Sequence, residues 1–225
     1  MEKAARTTSA TATLGPLKLI VLGATGATGL EVVKSGVERG HSVTAFVRSP
    51  ERLASFMDRI KVNKGNLLDS SQLAQVLEGH EAVISAFGPR LPVSKADAHL
   101  LERFATALTS AMKKTSVRRV VVESVAFLFK NSIIPPAYVL GRLLFPSIVA
   151  DSARMEKTFA ESGLDWTMVR PPELTNKPYT GKYRVTEGHL LPAFGFKVSR
   201  ADVADYMIKA VEQHLSSCKI VGISH

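Results

Sequence analysis

The chain is 225 residues long and 45% hydrophobic, enough for one substantial core and too little for two full-sized domains, so a single domain is expected. Its 29 Lys and Arg against 20 Asp and Glu give a formal charge of +9. That favours an anionic ligand, but the basic residues are dispersed and no basic helix, metal-finger spacing or RNA-binding aromatic signature accompanies them, which argues for a solvated surface and against nucleic-acid or metal-ion binding.

From the N-terminus, residues 1–16 (MEKAARTTSATATLGP) are small, polar and aperiodic, the composition of a disordered tail. Residues 17–225 then alternate short apolar runs with helical patterns, which predicts an α/β fold with a mainly parallel, doubly wound sheet and helices on both faces. The first strand is Leu17 to Leu22, followed by a glycine-rich turn and a helix ending at Gly40. A strand from His41 to Val47, a short helix from Pro50 to Met57 and a strand from Ile60 to Val62 come next. Ser71 to Leu77 reads as a helix, Ala82 to Ala86 as a strand, and Asp97 to Lys114 as an amphipathic helix with Leu101, Phe104, Leu108 and Met112 on one face. Arg118 to Ser124 is continuously apolar at its centre, as a buried strand should be. Pro146 to Ser162 is a helix closed by Gly163, and Asp165 to Val169 a strand in which Trp166 faces the core. Ser199 caps a helix from Arg200 to His214, and Lys219 to Ile223 is the last strand. Two stretches, about 125–147 and 173–198, carry no such pattern and are expected to cover a substrate. The one cysteine, Cys218, excludes an intramolecular disulfide and points to a reducing compartment, taken as the cytoplasm. The most apolar run, Ile133 to Ile148, is broken by three prolines and Arg142, too short for a membrane span.

The chemistry starts at GATGATG, Gly23 to Gly29, between the first strand and the first helix. Dinucleotide binding needs a tight turn, a bare backbone for the pyrophosphate and a helix N-terminus facing the anion. Gly23, Thr25, Gly26, Ala27, Thr28 and Gly29 supply these in the right structural context, strand then helix. At the end of the second strand, where an acid would hold a ribose 2′-hydroxyl, the chain has Arg48 and Ser49 and no neighbouring Asp or Glu. A guanidinium there suits a 2′-phosphate, which selects NADP(H), although an exposed loop arginine is the plain alternative.

The motifs GATGATG, VRSPERL, GNLLD, RVVVES, ESGLDWTMVRPPEL and SRADVADYM, in that order, resemble the atypical short-chain dehydrogenase/reductases of Rossmann type. Within them the likeness is to the NAD(P)H-binding group around biliverdin-IXβ reductase, also called flavin reductase, with NmrA-like regulators further off. The resemblance implies that Leu68 and Asp69 flank the adenine, that Ala86, Phe87 and Gly88 pass the nicotinamide-side ribose, and that Arg170, Pro171 and Pro172 frame the nicotinamide.

The usual Tyr and Lys four residues apart are missing. Tyr138-x-x-x-Arg142 is the nearest imitation, in a segment that also reads as a lid. The resemblance puts Ser124 near the nicotinamide, where its hydroxyl would orient a carbonyl or a water, unless it merely ends the strand. Ser152 stands where the resemblance has a histidine implicated in catalysis. Glu156, one turn on, is a possible acid or base but more commonly a helix-surface residue, and His189 lies in a loop-rich stretch with a pKa range suited to proton transfer. Three functions fit: an NADPH-dependent reductase passing hydride to a planar conjugated acceptor, a cofactor-sensing regulatory protein of NmrA-like type, or a redox-neutral isomerase or cyclase on the same fold. A small molecule is the expected partner, and the sequence leaves the oligomeric state open.

Overall fold

The computed structural model describes residues 15–89, 99–129, 143, 145–190 and 197–225. The expected tail up to residue 14, the candidate Tyr138 and much of the expected lid lie outside them.

The elements follow the expected order. Strands β1 (Lys18–Leu22), β2 (Ser42–Val47), β3 (Lys61–Lys64), β4 (Ala82–Ser85), β5 (Arg119–Glu123), β6 (Asp165–Arg170), β7 (Glu173–Thr175), β8 (Arg184–Glu187), β9 (Lys197–Ser199) and β10 (Lys219–Ser224) are joined by α1 (Ala27–Glu38), α2 (Ser70–Leu77), α3 (Leu100–Lys113), α4 (Pro146–Ala160) and α5 (Arg200–Glu212). Eight strands form one sheet in the order β3-β2-β1-β4-β5-β6-β10-β8. Every pairing in it is parallel except that of β8 with β10. This is the doubly wound single-domain fold that the alternation of strands and helices predicts.

Period-two alternation assigns each strand residue to a face. Leu19, Val21, Ala45, Ile84, Val121 and Val169 pack with α1 and α5, while Ile20, Leu22, Phe46, Val83, Val120, Val122 and Met168 pack with α2, α3 and α4. Phe159 is fully buried in the second layer and Trp166 packs half-buried against it.

Local chemistry sets the helix ends. Asp69 caps α2 by accepting from the Ser71 and Gln72 N–H groups, and Ser199 caps α5 through Asp202 N–H, the cap expected. The start of α3 is capped from outside, by Asp151 of α4 accepting from Leu101 N (2.7 Å). Pro146 opens α4 in the first turn, where its missing N–H costs nothing.

Three elements differ from expectation. Pro50 to Met57 forms a tighter 3-10 turn over Glu51–Phe56. The third strand runs to Lys64, its tip held by Gly65 N donating to Val47 O (2.9 Å). The expected cover at 173–198 contributes β8 to the main sheet and a small parallel pair, β7 with β9. RVTE is short and polar, as edge strands tend to be, and gives little periodicity to read.

Candidate functional site

The order in which strands join the sheet reverses at β1: β2 and β3 extend it on one side, and β4, parallel to β1, starts the other side. Open α/β sheets place ligands in the crevice at such a point, beyond the carboxyl ends of the strands. Gly23 turns the chain there at φ +76°, and a Cβ on it would lie 2.6 Å from the Ala86 carbonyl carbon. A Cβ on Gly29 would overlap the Gly23 carbonyl, so this glycine lets α1 pack onto the strand end. The Gly26 N–H is engaged in the turn, donating to Gly23 O at 2.8 Å. No side chain caps α1 and its first turn holds no acid. The N–H groups of Ala27, Thr28 and Gly29 therefore lack helix partners and face the crevice with the positive end of the dipole, a cradle for an anion. Thr25 lies half-buried in the same turn.

The neighbouring loops border the crevice. Arg48 follows β2 directly, is exposed, and makes no ion pair among the described residues, with Ser49 half-buried beside it. The Asp69 carboxylate is engaged by Gln72 N (3.1 Å), Ser71 N (2.9 Å) and Gln72 Nε2 (2.9 Å). These bonds, the backbone ones first, hold it below the usual carboxylate range. Asp69 thus fixes the start of α2, and Leu68 beside it is half-buried against the core layer of α2, α3 and α4. After β4, Ala86 N donates to Leu22 O (3.0 Å), the Phe87 ring stacks obliquely on Phe104 at 4.8 Å, and Gly88 is exposed.

At the other end, β5 divides its last residues between the two faces. Ser124 donates to Glu156 Oε1 of α4 at 2.6 Å. Arg170, ending β6, reaches the same carboxylate through Nε (2.9 Å) and Nη2, and its guanidinium lies 4.6 Å above the Phe129 ring. All three residues are buried. A buried two-pronged pair of this kind fixes its partners firmly, because either charge alone would be costly. Glu156 is therefore not the helix-surface residue its spacing suggests, and the side chain of Arg170 turns inward to it. The adjoining Ala126 N donates to Pro171 O (3.2 Å), which ties the loop after β5 to Pro171 and Pro172. Ser152, one turn before Glu156, is 1% exposed and its hydroxyl has no partner among the described residues. A cavity of about 300 Å³ opens beside the pair, lined by Leu128, Trp166, Met168 and Ile220 together with Glu156 and Arg170.

Glu123 was not singled out in the sequence. It is half-buried, points to the opposite face from Ser124, and accepts a hydrogen bond from Thr28 Oγ1 at 3.2 Å. Burial pushes its carboxyl up to about 7 against the opposing pull of Thr28 and Arg200. A signal existed: an acid interrupting the end of an apolar central strand needs a partner.

Other candidates separate from the crevice. His189 is exposed after the edge strand β8, its ring against its neighbour's backbone at Glu187 O. Lys209 comes within 3.3 Å of the Tyr183 hydroxyl, yet burial and Asp205 push that phenol upward, the opposite of an activated acid. His99, Glu102 and Asp151 cluster, but Arg154 and the α3 N–H groups already engage their carboxylates. No helix among the described residues is long and apolar enough to cross a membrane.

Comparison with known proteins agrees with this geometry. An uncharacterised chloroplastic protein of Arabidopsis thaliana is 32% identical over 215 residues, which is 92% of this chain and 76% of that one. The photosystem II assembly factor Ycf39 of Synechocystis is 25% identical over 158 residues, 68% of this chain and 44% of its own length. Among solved structures, a short-chain dehydrogenase/reductase of Veillonella parvula in complex with NADP shares the fold at TM-score 0.75 and 18% identity, over 93% of this chain and 94% of that one. A candidate NADH-flavin reductase of Streptococcus pneumoniae does so at TM-score 0.73 and 21% identity, over 92% and 98%. The family model described as NAD(P)H-binding matches residues 23–214, opening on the first glycine of the loop and taking in every element of the crevice, and the chain belongs to that family.

Proposed function

We propose that the protein is an NADPH-dependent reductase passing hydride to a planar conjugated acceptor such as a flavin, quinone, tetrapyrrole or aromatic ketone. The observation that carries the reading is the uncapped, acid-free start of α1 at the switch point with the exposed Arg48 guanidinium at the end of β2. The dinucleotide, when bound, supplies the hydride.

The chain's residues bind, orient and exclude water. Ala27, Thr28 and Gly29 offer N–H groups to the pyrophosphate, Arg48 and Ser49 take the 2′-phosphate, and Leu68 flanks the adenine. Ala86, Phe87 and Gly88 pass the ribose, and Pro171 and Pro172 close the nicotinamide end. Ser124, its proton directed to Glu156, keeps lone pairs for a water or a ligand hydroxyl. A conjugated acceptor spreads the added charge and can take its proton from water, so this reaction tolerates the missing Tyr and Lys pair. Titration with NADPH and NADH, followed by an acceptor panel monitored by NADPH oxidation, tests this: no turnover with any acceptor overturns it.

A second reading, a cofactor-sensing protein that binds without turnover, is favoured by the likeness to Ycf39, named as an assembly factor. Tight NADPH binding with no oxidation across the panel selects it. The compartment proposed is the cytoplasm, and the chloroplastic relative makes a plastid its rival. Imaging a fluorescent fusion of the full chain separates the two.

A further inference from the structure

We propose that Glu123 makes dinucleotide binding proton-coupled: its carboxyl lies against the first turn of α1 and is neutral when the pyrophosphate is seated, so binding takes up a proton. The inference rests on the dinucleotide reading of the crevice and extends it.

The argument starts from strand alternation. Ser124 points to α4, so Glu123, one residue earlier, points to α1, where it meets Thr28, the second residue of the helix. Thr28 is also one of the three residues whose free N–H groups form the anion cradle. An ionised Glu123 is then an internal anion beside the site of an external one. Two negative groups sharing one helix terminus in a partly buried crevice repel strongly, and the cheaper solution is to protonate the carboxylate. As a neutral group it can still bond Thr28, and the helix dipole is left to the phosphates.

The surroundings make this protonation accessible. The neighbour across β6 is Val169 and the residue following β4 is Ala86, neither of them charged. From α5, Arg200 acts on Glu123 at a distance, but its Nη1 is held by Asn176 Oδ1 (2.6 Å) and Leu174 O (3.3 Å). The nearest buried guanidinium, Arg170, is on the other face with Glu156. No cation among the described residues pairs directly with Glu123, and burial already favours its neutral form.

The test is calorimetric titration with NADPH from about pH 6 to about pH 9, on the native protein and on Glu123→Gln, an isosteric neutral that keeps an acceptor for Thr28. At one alkaline pH the titration is repeated in two buffers of different ionisation enthalpy. The native affinity should fall relative to the variant by up to roughly tenfold per pH unit above neutrality, with up to about one proton taken up, and the variant should show neither effect. Titration of the nucleotide's own phosphate is common to both proteins and cancels in the ratio. Parallel pH profiles with tight binding in both overturn the inference alone. Absence of binding at every pH overturns it together with the dinucleotide reading.

Discussion

The two ends of the crevice are built from different materials. The glycine-loop end is made of backbone: three glycines set its shape, and the free donors there are helix N–H groups. The opposite end is made of side chains converging from the end of β5, α4 and β6 on one buried carboxylate. A backbone cradle depends on steric room, which only glycine provides, and is insensitive to other neighbours. The side-chain cluster depends on charge balance, and losing one member leaves the rest unsatisfied.

Three substitutions sharpen that contrast, beginning with the largest effect. Arg170→Leu leaves Glu156 buried without its counter-charge and should cost about 3–5 kcal/mol in chemical denaturation. Adding Glu156→Gln to it should recover much of the loss, and a double variant as unstable as the single would break the charge-balance account. Gly23→Ala forces a Cβ into the Ala86 carbonyl at positive φ and should cost about 2–4 kcal/mol. A Gly23→Ala protein that stays folded yet binds NADPH normally would contradict the steric account of the loop.

Glu123 stands between the two ends and predicts a smaller, pH-dependent effect. Its folded value, about 7, lies above the ordinary 4.5. Its favourable contribution is thus fully present below about 4.5 and is lost as pH rises through about 7. Glu123→Gln should match the native protein at about pH 4.5 and exceed it at about pH 8 by about 1–3 kcal/mol, since part of the side chain still meets water. Melting curves at the two pH values check this, and an equal gap at both would show that the carboxyl does not titrate in this range.

The same division explains what the sequence made legible. GATGATG after an apolar run is readable because its requirements are local: a turn, a bare backbone and a helix start lie within seven residues. Arg48 is readable because the strand before it is unambiguous. Ser124, Glu156 and Arg170 are far apart in the chain, and only the sheet register brings β5 and β6 under α4. Glu156 therefore looked like a helix-surface residue, though Arg170 closing the buried strand DWTMVR implied a missing partner. Glu123 escaped for the same reason, its meaning residing in which face of β5 it takes. Asp69, which the resemblance sets beside adenine, also caps α2, as an Asp just ahead of a helical pattern often does.

The claim that joins these regions is that the crevice holds NADPH, with Arg48 reading the 2′-phosphate. Calorimetric titration of the protein and of Arg48→Ala with NADPH and NADH tests it most directly. The account predicts that the native protein prefers NADPH and that the variant loses about 10- to 100-fold of its NADPH affinity while its weaker NADH binding and its stability are unchanged. Equal binding of the two nucleotides by the native protein, or an Arg48→Ala variant with undiminished NADPH preference, would contradict it.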